Sequence, residues 1–236
     1  MSRRIERLSG TRRKTNPTGR TLHPRVSHDQ RLSRVLESAT DLIADVGYEK
    51  ASMRAVARTA GVSLAGLYHY FDRKERMLFL IQFRTFSALV SGLKEKLGGV
   101  VDPVEQLRVL IRSHVSYFAA HMAALKVCSH ELDSLTGGAY ADANRLRREY
   151  YELARTIVDR VFDTSASGSR LDRHVATMSL FGTLNWLYRW YDPKRGRSAT
   201  TVANQIASQF LEGVLGGARE RQAALLNGRR RGVGRG

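Results

Sequence analysis

Among the 236 residues there is one cysteine, Cys128. No intrachain disulfide can form, which fits a reducing cytoplasm. No apolar run approaches the ~18 residues of a membrane span, so no membrane partner is expected. The opening stretch MSRRIERLSGTRRKTNPTGR has no apolar h-region and is not expected to be a signal peptide. Alternating strand patterns bounded by turns are missing as well. The seven histidines are scattered, with no His-Glu-x-x-His, no paired cysteine and no carboxylate cluster at ligand spacing. His114 and His121 lie seven apart on one helix face, and His130 and His174 stand alone. Such histidines are expected as satisfied core residues, and Cys128 as a buried structural thiol. The pairs Gly98-Gly99, Gly137-Gly138 and Gly216-Gly217 follow no strand, so they are not phosphate cradles. No catalytic constellation remains. Neither an enzyme activity, a metal nor a cofactor is expected.

Negative charge is also in short supply. Asp and Glu number 22 against 39 Lys and Arg, a formal net charge of +17. Its placement matters more than its size. Residues 1–31 hold nine basic residues against Glu6 and Asp29, and residues 219–236 hold six Arg against Glu220. Two basic tails therefore flank a nearly balanced body. Basic arms of this kind attract nucleic acid or anionic surfaces, and they also serve as solubilising tails.

What is present is helical period. Residues 1–26 lack it and read as a disordered basic arm. Ser27 can cap a first helix, with Gln30 at the capping-box position and Gly47 closing it. Ser52 can cap a short second helix with the stripe Met53, Val56, Ala57 and Ala60; Gly61 breaks it, and Ser63 can cap a third. Asp72 with Glu75 reads as the start of a long fourth helix. "DPVE" at 102–105 is another start, with Pro103 at the first helical position. Further helices are expected near 122–134, 140–163, 171–191 and 199–217. The chain reads as all-α with about nine helices. An N-terminal three-helix module would span 27–75, a helical body 76–217, and a basic disordered tail 218–236.

Two short helices joined by a Gly-led turn form the helix-turn-helix pattern. At helical spacing, Leu64, Leu67, Tyr68 and Phe71 share one face of the third helix, and Ala65, Gly66, His69 and Tyr70 the other. The second face is small and polar-aromatic, as a helix entering the major groove must be. Periodicity alone fits a plain three-helix core equally well. Arg54, Arg58, Arg73, Lys74 and the basic arm favour DNA.

The stretch "SMRAVARTAGVSLAGLYHYFDRKERM" resembles the N-terminal module of TetR/AcrR-family transcriptional regulators. The likeness lies in the Ser-led second helix, the Ala-Gly-Val-Ser turn, the Leu-Tyr-x-x-Phe recognition helix and the Lys-containing helix start. It covers about residues 29–80. The resemblance implies double-stranded DNA as partner, with Ser52, Arg54, Ser63, Leu64, Ala65, Gly66, Tyr68, His69, Tyr70 and Lys74 as the binding set. Ser52 and Arg54 would sit at the mouth of the groove. Leu64, Ala65, Gly66 and His69 would face bases, and Tyr68, Tyr70 and Lys74 would grip phosphates. Leu64-Ala65-Gly66 offers no side-chain donor or acceptor where relatives often place polar residues. Direct reading then rests on Arg54, His69 and Tyr70, and more falls to DNA shape and the Arg-rich arm.

The same resemblance implies a homodimer and a small hydrophobic effector bound by the C-terminal body. The Asn-Trp-x-x-x-Trp-Tyr cluster at 185–191 is similar to a branch of the family that responds to acyl-coenzyme A thioesters. On that likeness Arg145, Arg147, Arg148 and Arg189 would meet phosphates. Tyr117, His121, Leu125, Cys128, Leu132, Tyr151, Phe181 and Trp186 would wall an apolar tunnel, with Asn185 beside them. Asn185 and Arg189 are four apart and are expected on one helix face. Another hydrophobic carboxylate or a drug-like aromatic fits these residues equally well. The expected function is a ligand-released repressor on a palindromic operator. The alternative is a constitutive basic architectural protein that needs no ligand.

Overall fold

The computed structural model describes residues 28–164 and 171–232, with side chains as far as Leu215. The basic arm, the Ser27 cap and the side chains of the C-terminal tail lie outside the described residues. Within them the chain is helical and contains no strand. The helices are α1 (His28–Val46), α2 (Met53–Thr59), α3 (Leu64–Tyr70), α4 (Lys74–Leu97), α5 (Pro103–Ala120), α6 (Met122–His130), α7 (Gly137–Asp163), α8 (Arg173–Asn185), α9 (Leu187–Trp190) and α10 (Ala199–Gly232). α9 is a single turn, and a 3-10 turn at Leu132–Ser134 separates α6 from α7.

The head is built as the sequence suggests. Gly47 ends α1 at φ 84°, and its N–H closes on the Ile43 carbonyl at 2.8 Å. Gly61 makes the α2–α3 turn at φ 66°, a conformation that an L side chain would strain. Ser52 accepts from Ala55 N–H and Ser63 from Gly66 N–H, so both short helices start on a hydroxyl. Val35, Ala39, Ile43, Val56, Ala57, Leu67 and Phe71 fill the core between α1, α2 and α3. One boundary differs. Asp72 does not cap α4; Arg73 holds the cap position without a side-chain bond. Glu75 is drawn away instead, accepting from the Thr136 N–H and hydroxyl at 2.9 and 2.7 Å.

α4 crosses both cores. Met77, Leu78 and Ile81 belong to the head, and Phe86, Leu89, Val90 and Leu93 to the body. α5 is the centre of the body, packed against α4, α7 and α10. It starts as expected, with Asp102 accepting from Val104 and Glu105 N–H and Pro103 at the first position. Four helices depart from their expected bounds. α6, expected over 122–134, ends at His130 and gives way to the 3-10 turn. α7 begins at Gly137 rather than 140. The stretch expected as one helix over 171–191 breaks at Trp186 into α8 and α9. Two anchors account for the break: Leu187 is fully buried, and the Tyr188 hydroxyl reaches His130 Nε2 at 2.8 Å. α10 continues past 217 to Gly232, because the Ala, Leu, Gln and Arg residues beyond Gly216-Gly217 are good helix formers.

Candidate nucleic-acid interface and ligand cavity

The α2–α3 unit separates its faces cleanly. Leu67 and Phe71 are fully buried. Ser52, Arg54, Arg58, Ser63, Ala65, Tyr68 and His69 are exposed on the opposite side. Tyr68 is 49% exposed, so it leaves the packing face to which simple helical spacing assigns it. Tyr70 moves the other way. It is half-buried against the head core, with its ring 5.1 Å from that of His28. Leu64 also leans on the head core and does not present its side chain fully outward. Gly66 sits close against the cap: a Cβ there would lie 3.0 Å from Ser63 Oγ. Lys74 has a structural engagement the sequence did not suggest. Its Nζ donates to the Glu49 carbonyl at 3.1 Å and lies 4.0 Å from the centre of the Tyr48 ring.

Two cations escape the sequence reading. Arg31 and Arg34 are exposed on α1 and share a groove with Ser63, Gly66, His69 and Tyr70. They alternate with the buried positions of α1, which was the available signal. With Arg54 and Arg58 they frame α3 in positive charge.

A cavity of about 330 Å³ lies in the body between α4, α5, α6, α7 and α8. Its wall includes seven of the residues expected there: Leu125, Cys128, Arg147, Arg148, Tyr151, Phe181 and Asn185. Phe86, Leu89, His114, Phe118, Asn144, Tyr150 and Met178 join them, and these were not foreseen. The cavity grades from a basic, exposed side to a buried polar one. Arg148 is exposed, and Arg147 is half-buried with its guanidinium on the Cys128 carbonyl at 3.1 Å. His114 and Tyr150 are buried, with Nδ1 and the hydroxyl 3.1 Å apart. Burial pushes His114 down to about 3 and the Cys128 thiol up to about 12, so both are neutral at ordinary pH.

Six of the expected ligand residues lie elsewhere. Tyr117 and His121 stack on each other at 4.5 Å and face α1 and α4 in a separate groove with Thr40, Asp41 and Thr85. They occupy the neighbouring face of α5 from His114 and Phe118. Leu132 sits in the 3-10 turn and packs on the head core. Trp186 and Arg189 are swung outward by the break after α8 and line a groove with Asp45, Gly47, Lys126 and His130. The same break separates Asn185, in the cavity wall, from Arg189. Arg145 is exposed beside Asp142 at 3.9 Å and does not line the cavity.

α6, like α4, touches both places. α6 gives Leu125 and Cys128 to the body core and cavity, and Val127 to the head core. It also packs along α1. Just beyond its end, Glu131 accepts the Tyr48 N–H at 3.1 Å.

A basic helix-turn-helix head joined through shared helices to a body with a half-open cavity defines a one-component DNA-binding regulator. Residues 35–81 match the family description "Bacterial regulatory proteins, tetR family", and residues 100–214 match "Tetracyclin repressor-like, C-terminal domain". A solved TetR-family regulator, PfmR from Thermus thermophilus, is 30% identical; the match covers 76% of this chain and 97% of that one, with a TM-score of 0.68. The chain belongs to the TetR family of transcriptional regulators, which are not enzymes. The transcriptional repressor KstR2 of Rhodococcus jostii strain RHA1 is 26% identical over 78% of this chain and 91% of its own length. AibR, solved with isovaleryl coenzyme A and operator DNA, is 25% identical in that complex; the match covers 78% of this chain and 98% of that one, with a TM-score of 0.66. No helix among the described residues is long and apolar enough to cross a membrane.

Proposed function

We propose that this chain is a homodimeric cytoplasmic repressor, released from a palindromic operator when a small hydrophobic anion fills the α4–α8 cavity. Acyl-coenzyme A thioesters are the leading effector class, since AibR binds one. The carrying observation is α6, which contributes Cys128 to the cavity wall and Val127 to the core of the DNA-binding head. A ligand that shifts α6 must move the surface on which α1 rests. For release, it must bind the non-DNA arrangement better. The head, 27–75, would read DNA through Arg54 and His69, supported by Ser52, Ala65 and Gly66. Tyr68, Tyr70, Lys74 and the basic arm would hold the backbone. Ser63 and Leu64 would keep α3 in place. Arg147 and Arg148 would meet the anionic part of the effector, and Leu125, Tyr151, Phe181 and Asn185 its body.

Exposed apolar side chains support the dimer. Val175, Met178, Trp186 and Trp190 on α8 and α9 are 59%, 50%, 55% and 55% exposed. The surface beside Trp190 is concave and continues along α10 through Asn204, Gln205 and Glu212. Two copies packed here would form a four-helix interface and place two α3 helices in successive major grooves.

The test begins with a duplex selected from a random pool for binding. Acyl-coenzyme A thioesters of graded chain length are then titrated against the complex. Release should occur at one length range and weaken at least severalfold in an Arg147→Ala, Arg148→Ala double variant whose operator affinity is unchanged. Cys128 is the sole thiol, so its rate of labelling reports occupancy directly. A full thioester and free-acid series that neither releases DNA nor protects Cys128 would remove the acyl reading.

A further inference from the structure

The deep end of the cavity holds an unmet polar demand. His114 is 2% exposed, and its Nε2 has no hydrogen-bond partner among the described residues. An orphan of this kind is rare in a folded interior and calls for an occupant. Gln82 is equally buried with both amide atoms unpartnered, but it is not part of the cavity wall. His114 is part of that wall, and so is its partner Tyr150.

The pair's chemistry limits what can satisfy it. If the Tyr150 hydroxyl donates to Nδ1, then Nε2–H is a free donor and the phenol oxygen a free acceptor. If Nδ1–H donates to the phenol oxygen, the Tyr150 O–H is the free donor and Nε2 the free acceptor. Either tautomer offers one donor and one acceptor. A hydroxyl matches both. A ketone oxygen is satisfied by the donor alone. A saturated chain leaves the demand unmet, and burial keeps the imidazole neutral, so a carboxylate gains no opposite charge here. The charge match lies at Arg147 and Arg148, on the more exposed side.

We infer that the His114–Tyr150 pair recognises a hydroxyl or keto oxygen carried on the effector's hydrocarbon part, away from its anionic head. The protein would then answer to oxygenated acyl compounds rather than to plain saturated ones. This rests on the effector reading above and narrows it. The cavity, at about 330 Å³, is near the small end for ligand sites, so the oxygen sits on a short chain or one ring.

The test is calorimetry at neutral pH with octanoyl-coenzyme A and its positional hydroxy and oxo analogues. The best oxygenated isomer should bind the wild-type protein about tenfold tighter than the saturated parent, the scale of one good buried hydrogen bond. That advantage should fall to about threefold or less in Tyr150→Phe and in His114→Leu, with octanoyl-coenzyme A bound by the variants at least as well as by wild type. Tyr150→Phe keeps the ring volume, so it carries the test even where His114→Leu does not fold. Equal binding of all isomers and the parent overturns the inference and leaves the acyl effector standing. A preference that survives in both variants also overturns it. Failure of every thioester to bind removes the acyl reading and this inference with it.

Discussion

At the scale of single residues, burial decides what the chemistry can be. His114 is pushed down to about 3, against 6.5 for a free imidazole. Between those values the unfolded chain binds a proton that the folded chain does not. Stability therefore falls as pH drops below the unfolded value, the loss ends near the folded one, and above the unfolded value the group contributes nothing. From pH 6.5 to 5 the loss is about 2 kcal/mol, at about 1.4 kcal/mol per unit. Urea unfolding at pH 7 and pH 5 should show a markedly smaller drop in His114→Leu than in wild type. An equal drop would mean that His114 titrates normally. The head follows a different rule, because Arg31, Arg34 and Arg54 are exposed. Arg54→Ala should cost about 1–3 kcal/mol of operator binding and relax preference at one base position. Arg31→Ala and Arg34→Ala should weaken binding to all sequences and lower the salt slope by about one each. A sequence-specific loss at Arg34, measured by competition with variant duplexes, would contradict a phosphate contact for it. The bare Leu64-Ala65-Gly66 turn was legible from residue types alone. The exchange of Tyr68 and Tyr70 between faces was not, because a seven-residue helix with an extended C-cap at Phe71 leaves its last turn to be set by neighbours.

Elements were readable where local chemistry sets them. Ser52, Ser63 and Asp102 mark helix starts by bonds made within three residues, Pro103 marks one by its fixed φ, and the structure uses all four. They were unreadable where distant partners intervene. Asp72 and Glu75 form a good local box, yet Thr136, 61 residues away, takes the Glu75 carboxylate. Those bonds hold the Glu75 carboxyl below its usual range. The break at Trp186 has no Gly or Pro to announce it and depends on His130 and the buried Leu187. That one break is why Arg189 and Trp186 left the candidate site while Asn185 stayed. The cavity itself draws on five helices, so its membership was only partly legible from spacing. α6 is the element on which regulation turns, and Glu131 is its tie to the head through Tyr48 N–H. Glu131→Ala should leave effector affinity within about threefold, since Glu131 lies outside the cavity wall. It should shrink the ratio of operator affinities without and with effector, a coupling typically worth about 1–3 kcal/mol. An unchanged ratio would move the coupling to the other contacts between α1 and α6.

For the whole molecule, the question is how one head of modest reading power reaches an operator. Three bare residues lead α3, and of the exposed cations around it Arg54 alone is proposed to read a base. A single copy would therefore bind DNA mainly through charge, with affinity that falls steeply with salt. Two copies fixed in register add their half-sites, and the spacing itself becomes information. The exposed Val175 and Trp190 are the described side chains best suited to fix that register, since apolar side chains half in water gain by mutual burial. Charges introduced there should separate the copies without harming the fold, because these side chains lie outside both cores. A Val175→Glu, Trp190→Glu variant should sediment as a monomer with a thermal midpoint set only by the monomer. It should retain weak, salt-sensitive binding to any duplex and lose preference for the selected palindrome. Effector affinity should persist, since Val175 and Trp190 lie outside the cavity wall. If the variant stays dimeric and keeps its palindrome, the interface lies on another face of α8 and α10. If it becomes monomeric yet keeps full preference, the head reads more sequence alone than its side chains offer, and the weight returns to Arg54 and His69.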